Sequence, residues 1–187
     1  QGSSDIIVAV LDHGTQLDHP DLNVSSKSYD TETGRSPSQI WGNHGTACSG
    51  IISAKTNNNL GVAGIAPNCP VMSISNQLMG TSDAPQKRAD GFNWAWRNGA
   101  SVISNSWRSS TFSELLEDAI QSAMTNGRNG LGCVVTFSAG NYDSNTVGYP
   151  ARSLPDIIVV GALSLSGKRK SSTTIDNEGW WGSDYGT

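Results

Sequence analysis

Five short apolar runs constrain the fold more than any other feature of the chain. They are "IIVAVL" (6–11), "PVMSIS" (70–75), "ASVISNS" (100–106), "CVVTFSA" (133–139) and "DIIVVGA" (156–162). Most are β-branched and near-continuous, with little alternation. A strand with one wet face alternates apolar and polar residues, so continuous runs predict strands covered on both faces, as in a parallel sheet. Between them lie helix-like stretches. "HGTACSGIISA" (44–54) is small and apolar, and "PQKRADGFNWAWRNGA" (85–100) places Phe92, Ala95 and Trp96 on one stripe. "FSELLEDAIQSAMTNG" (112–127) has Ser113 as a candidate N-cap, acids in its first turns and Gly127 at its end. Strand, helix, strand, helix implies right-handed βαβ units. The pattern predicts strands near 6–11, 70–75, 101–106, 133–138 and 157–161, and helices near 44–54, 86–98 and 112–126. No repeat, low-complexity linker or domain boundary interrupts it, so residues 1–187 read as one α/β domain, a length able to bury a sizeable core.

Charge narrows the partners. The net charge is −4, and the only basic cluster is the short "GKRK" at 167–170, which argues against nucleic acid. No apolar stretch is long enough to span a bilayer, and the first strand follows only a few polar residues, without a signal peptide. The cysteines are Cys48, Cys69 and Cys133. Their spacing fits no zinc site, which leaves three buried thiols, or one bridge plus a thiol.

In an open parallel sheet, sites form beyond the carboxyl ends of the strands. Asp12 and His13 follow the first run, Trp107 and Arg108 the third, Gly140 and Asn141 the fourth; His44 opens the first helix. A carboxylate that fixes a histidine tautomer makes that histidine a general base. An amide such as Asn141 can donate to a developing oxyanion. Taken singly, Asp12 could cap a turn, His44 could merely start a helix, and Asn141 could be a turn residue.

Six stretches, taken in order, resemble the subtilisin-like serine proteases. They are "VAVLDHGTQLDHPDL" (8–22), "GNHGTACSGIISA" (42–54), "NNNLGVAGIAP" (57–67), "WAWRNGASVISNSW" (94–107), "CVVTFSAGN" (133–141) and "GYPARSLPDIIVVGA" (148–162). The resemblance implies a three-layer α/β fold, a mainly parallel twisted sheet with helices on both faces. It implies Asp12 as the triad acid, His44 as the base and Asn141 as the oxyanion donor. It also implies Ser104, Ser106, Trp107 and Arg108 along a strand edge that pairs with a protein or peptide substrate, with Ala139, Gly140 and Gly148 around the specificity pocket. Asp21 and Asn58 match positions that hold Ca²⁺ in the family, although Asn-rich turn chemistry in "TNNNLG" explains the same residues. No other cofactor is implied, and the family points to a secreted or cell-envelope protein.

Two positions depart from the family pattern. His13 stands where a small hydroxyl residue is usual, and either bonds Asp12 or fills the loop. Arg108 stands where a glycine is usual, and either narrows the cleft, meets an acidic substrate side chain or turns to water. His19 orders the "DHPDL" turn. Ser82, in "LMGTSDAP", mimics the nucleophile motif Gly-Thr-Ser-x-Ala, but it precedes Asn141 and is followed by Asp83-Ala84-Pro85, which suits a turn and helix start. The nucleophile motif itself is expected on a further segment of the protease domain, after "SDYG" (183–186). The 187 residues then read as an internal piece carrying Asp and His but not Ser. Competing readings are a pseudoprotease that only grips peptides and a proteolytic fragment without function.

Overall fold

A computed structural model describes residues 1–186. Its strands are β1 (Ile7–Asp12), β2 (Tyr29–Asp30), β3 (Val71–Ser75), β4 (Ala100–Asn105), β5 (Val134–Ser138) and β6 (Ile158–Val160). They form one sheet in the order β2-β3-β1-β4-β5-β6, and every pairing is parallel. Helices α1 (His44–Ser53), α2 (Ala84–Arg97) and α3 (Glu114–Gly130) are the connections expected of βαβ units. The predicted strands and helices all form, within two residues at most ends. β2 was not foreseen, because two residues carry no readable period.

The sheet has two unlike faces. Side chains alternate along a strand. Leu11, Ile74, Ile103 and Phe137 therefore share one face, which α2 and α3 cover with Phe92, Ala95, Leu116 and Ile120. Phe92 stacks on Phe137 with ring centroids 6.3 Å apart. Val8, Val10 and Asp12 share the other face with Val102 and Ser104, their partners across β4, and α1 lies there. This alternation points Asp12 at α1. The expectation of cover on both faces fails over β5 and β6. Val134, Ile158 and Val160 are exposed because no described element lies over that end of the sheet on the α1 side, and Val159 is exposed on the opposite face of the edge strand β6.

Local signals end the helices as predicted. Ser113 Oγ accepts the Leu116 N–H and caps α3. The backbone leaves helical geometry at Gly127, where a side chain would strike the Cys133 sulfur. No described helix is long and apolar enough to cross a membrane. Cys69 and Cys133 are buried as expected, Cys48 is only half-buried, and none is bridged.

The loops after β5 are tied by Asp143. It accepts the Ser172 hydroxyl at 2.7 Å, the Ser172 N–H at 2.9 Å and the Arg169 guanidinium at 2.6 Å. These partners hold its carboxyl well below the usual carboxylate range. A depressed folded-state value stabilises the fold above the unfolded value of 3.8 and is lost as pH falls through the folded one. Asp143→Asn should therefore lower the melting temperature at neutral pH, with the gap to the parent closing in acid. Melting curves that keep a constant gap through that acid range would contradict the linkage.

Candidate active site

Asp12 is the last residue of β1 and fully buried. The His13 N–H donates to its Oδ1 at 2.7 Å, and the Asn76 N–H donates to its backbone carbonyl at 2.8 Å. His44 is the first residue of α1. Its Nδ1 lies 2.9 Å from both Asp12 oxygens. An ionised carboxylate only accepts, so this geometry assigns the proton to Nδ1 and leaves Nε2 as the free base. The ring is 53% exposed, so Nε2 can be reached.

The approach depends on glycine after the histidine. α1 enters so close to the loop after β1 that a Cβ on Gly45 would sit 2.5 Å from the Gly14 carbonyl oxygen. Any side chain there would push the first turn of α1 outward and His44 away from Asp12. A buried seam holds the same helix further along. Thr15 Oγ1 and Ser49 Oγ are 2.7 Å apart, and the Thr15 N–H donates to Ser73 Oγ at 2.9 Å.

His13 supports Asp12 through its backbone rather than its ring. Its Nδ1 is 4.0 Å from Asp12 Oδ1, beyond hydrogen-bonding distance, and the ring meets His44 edge-on with centroids 6.3 Å apart. His19 does order its turn, Nδ1 accepting the Asp21 N–H at 3.3 Å.

One neighbour was not singled out from sequence. Cys48 lies four residues after His44, which on a helix means the same face. Its Sγ is 3.7 Å from His44 Nδ1 and 3.8 Å from Ser106 Oγ. Burial, and then the Asp12 charge, push the thiol above its usual range, so it stays neutral. A reactive cysteine needs the opposite shift. Cys48 therefore packs beside the base without competing for its proton.

Of the residues expected along a substrate edge, Ser104 is corrected. It lies inside β4, paired with Val10 on one side and Thr136 on the other, so its backbone belongs to the sheet. The free edge begins past Asn105, at Ser106, and ends where the Ser109 N–H bonds the Tyr149 carbonyl at 2.8 Å. Trp107 turns its ring into the core, edge-on to Phe137 at 5.0 Å, so only its backbone can meet a ligand. Arg108 is exposed, and its guanidinium stacks on Tyr142 at 4.2 Å. Gly148 lies against the Arg108 side chain, and its N–H reaches the Ala139 carbonyl at 3.5 Å. Arg108, Ala139, Gly140 and Gly148 thus gather at the carboxyl end of β4 and β5.

Asn141 is exposed in the loop after β5. The loop is fixed by Asp184, a residue whose role the sequence pattern did not reveal. Asp184 Oδ1 accepts the Tyr142 N–H at 2.8 Å and the Ser144 N–H at 2.9 Å, and its own N–H bonds the Gly140 carbonyl at 2.9 Å. Gly140 has φ +120°, and a Cβ there would overlap Asp184 Oδ2. The two residues on either side of Asn141 are therefore held by one buried residue, Gly140 through the Asp184 backbone N–H and Tyr142 through the Asp184 carboxylate.

Asp21 and Asn58 also meet. Asn58 Nδ2 donates to Asp21 Oδ1 at 2.6 Å, and Asn58 Oδ1 accepts the Leu60 N–H at 3.1 Å. A hard cation needs oxygens from both residues. The amide instead presents nitrogen to the carboxylate, so the pair as it stands is loop hydrogen bonding rather than a calcium cage. Ser82 is exposed in the turn before α2. Among the described residues no serine hydroxyl hydrogen-bonds the His44 ring.

The model of the subtilase family matches residues 3–181. Subtilisin NAT of Bacillus subtilis subsp. natto is 34% identical over 94% of this chain and 45% of its own length. The calcium-dependent protease of a Nostoc species is 31% identical over 93% of this chain and 29% of its own. The chain spans about half the length, or less, of these curated relatives. Among solved structures, the prenylagaramide maturation protease PagA superposes with a TM-score of 0.68 at 27% identity, over 89% of this chain and 57% of that one. MycP1 with its N-terminal propeptide removed gives 0.70 at 21%, over 89% and 60%, a likeness of fold.

Asp184→Ala should leave the Tyr142 and Ser144 amides without their acceptor. The expected cost is about 1–3 kcal/mol of stability. Hydrogen exchange at these two amides should accelerate more than exchange in β1 or β4. Unchanged protection there would contradict the anchoring role.

Proposed function

The chain belongs to the subtilase family, and from that membership and the geometry above we propose that it forms the acid and base half of a serine endopeptidase site. The single observation that carries this is the buried Asp12 carboxylate on His44 Nδ1, with Nε2 open. Nε2 would take the proton of a serine hydroxyl as the oxygen attacks a peptide carbonyl, and would return it to the leaving amine. Asp12 would hold the tautomer and steady the imidazolium. Asn141 would donate its amide N–H to the oxyanion. The extended substrate would lie along Ser106–Arg108, with Ala139, Gly140 and Gly148 around its specificity pocket.

The serine is proposed to come from a further segment of the protease domain rather than from Ser82. Two observations support this. No described serine bonds His44. The α1 side of β4–β6 is bare and apolar: Val134, Ile158 and Val160 are exposed there, with Ile51 and Ile65 beside them on the α1 flank. Each such side chain covered is worth roughly 1.5–3 kcal/mol, so covering several is comparable with a domain's whole stability. A structural calcium held by Asp21 and Asn58 would require the Asn58 amide to turn over, and no step depends on it. The substrate is a protein or peptide rather than nucleic acid. A secreted or cell-envelope location rests on family likeness alone.

Residues 1–187 purified alone should not cleave a chromogenic peptide and should aggregate readily. Adding the downstream polypeptide should restore cleavage, and His44→Ala should remove it. Removal of the nucleophile of a subtilisin costs about 2 × 10⁶ in kcat. Full activity from residues 1–187 alone, abolished by Ser82→Ala, would contradict the proposal.

A further inference from the structure

Beside the Ser106–Arg108 edge lies a second cavity, of about 270 Å³, lined by Thr81, Ala84, Arg88, Arg108, Ser109 and Thr111 among others. Its chemistry is unlike the rest of the site. Arg88, in the second turn of α2, is only 2% exposed. Its Nη2 donates to the Met79 carbonyl at 3.2 Å, and its guanidinium lies 4.9 Å over the Trp107 ring. Its Nε is buried with no hydrogen-bond partner, and so is the Trp107 Nε1.

Among the described residues, no carboxylate lies within salt-bridge distance of this buried cation. Glu32, the acid whose charge reaches it, is engaged elsewhere, bonded to Lys87 at 2.7 Å. Burial accordingly pulls the Arg88 guanidinium below its usual range, partly offset by Glu32. A buried, unpaired charge costs several kcal/mol unless something compensates it. The second cation at the cavity, Arg108, is exposed and stacks on Tyr142, which also lines the cavity. The first turn of α2 adds Ala84 and Pro85 to the wall, and a helix start favours negative charge. Ser109 and Thr111 offer hydroxyls at the rim.

We propose that this cavity is an acidic-side-chain subsite, in which Arg88 and Arg108 receive a glutamate or aspartate of the bound peptide. The proposal rests on the peptide-cleaving role given to the Ser106–Arg108 edge, because that edge brings the side chain to the cavity mouth. Arg88 acts as a specificity residue. It supplies a fixed, buried donor, whereas Arg108 closes from the surface. A carboxylate in the cavity would satisfy the Arg88 Nε and neutralise its charge; a glutamine of the same shape could accept that hydrogen bond but leaves the charge uncompensated.

The experiment uses the complete protein and a set of peptides in which one glutamate is scanned along an otherwise neutral sequence, each paired with its glutamine counterpart. At one position, glutamate should raise kcat/KM over glutamine by about ten- to a hundredfold, the range of a hydrogen bond to a charged group. Arg88→Met should abolish that ratio, and Arg88→Glu should transfer the preference to lysine. Arg108→Gln, a surface change that does not disturb folding, should reduce the ratio severalfold. Equal rates for glutamate and glutamine at every position, or a ratio kept in Arg88→Met, would overturn the subsite. If no peptide is cleaved, the proposed activity fails, and anisotropy of the same labelled peptides decides the subsite. Tighter binding of the glutamate peptide, lost in Arg88→Met, supports it, and equal binding of both peptides overturns it.

Discussion

A buried carboxylate at the end of a central strand, meeting the first residue of a helix, is the contact on which the rest of the site depends. Asp12 can remain charged at zero exposure because the His13 N–H and the His44 ring both donate to it. Without them it would be a buried unpaired charge. The strand's alternation sets its direction, since Val8, Val10 and Asp12 all face α1. The missing side chain at Gly45 sets the distance. Fold and site are thus one problem: the parallel sheet brings β1 beneath α1, and the tight helix entry turns that proximity into a 2.9 Å bond.

The second half of the site is held by different means. The Asn141 loop has no helix behind it. A buried residue from the far end of the chain, Asp184, holds the backbone on both sides of Asn141, by its carboxylate at Tyr142 and Ser144 and by its own N–H at Gly140. The free edge at Ser106–Arg108 stands between the two halves, touching Cys48 on the α1 side and Tyr142 on the loop side. Asp12 with His44, the Ser106–Arg108 edge and the Asn141 loop are thus each held by contacts of their own. The uncovered end of the sheet lies between β4 and β6, where the further segment proposed above would cover apolar side chains.

Much of this was legible in the sequence because it is written in local patterns. Continuous β-branched runs gave the parallel sheet, Ser113 and Gly127 gave the ends of α3, and the end of the first run put Asp12 where His44 meets it. What was illegible depends on distant contacts. Asp184 is far from Tyr142 along the chain, and no periodicity links them. The placement of Ser104 failed because a run of apolar residues does not tell where the ladder stops and the free edge begins. Trp107 was expected along the substrate edge, and its ring instead packs on Phe137 in the core. Cys48 was within reach, since helical spacing alone places it beside His44.

The central claim is that Asp12 fixes His44 with its proton on Nδ1 and a bare Nε2. The ¹⁵N resonances of the His44 imidazole report this directly at a pH where the ring is neutral. The account predicts a protonated Nδ1, a deprotonated Nε2 and the opposite tautomer in Asp12→Asn, whose amide would donate to Nδ1. A neutral ring protonated on Nε2 in the parent protein would contradict it.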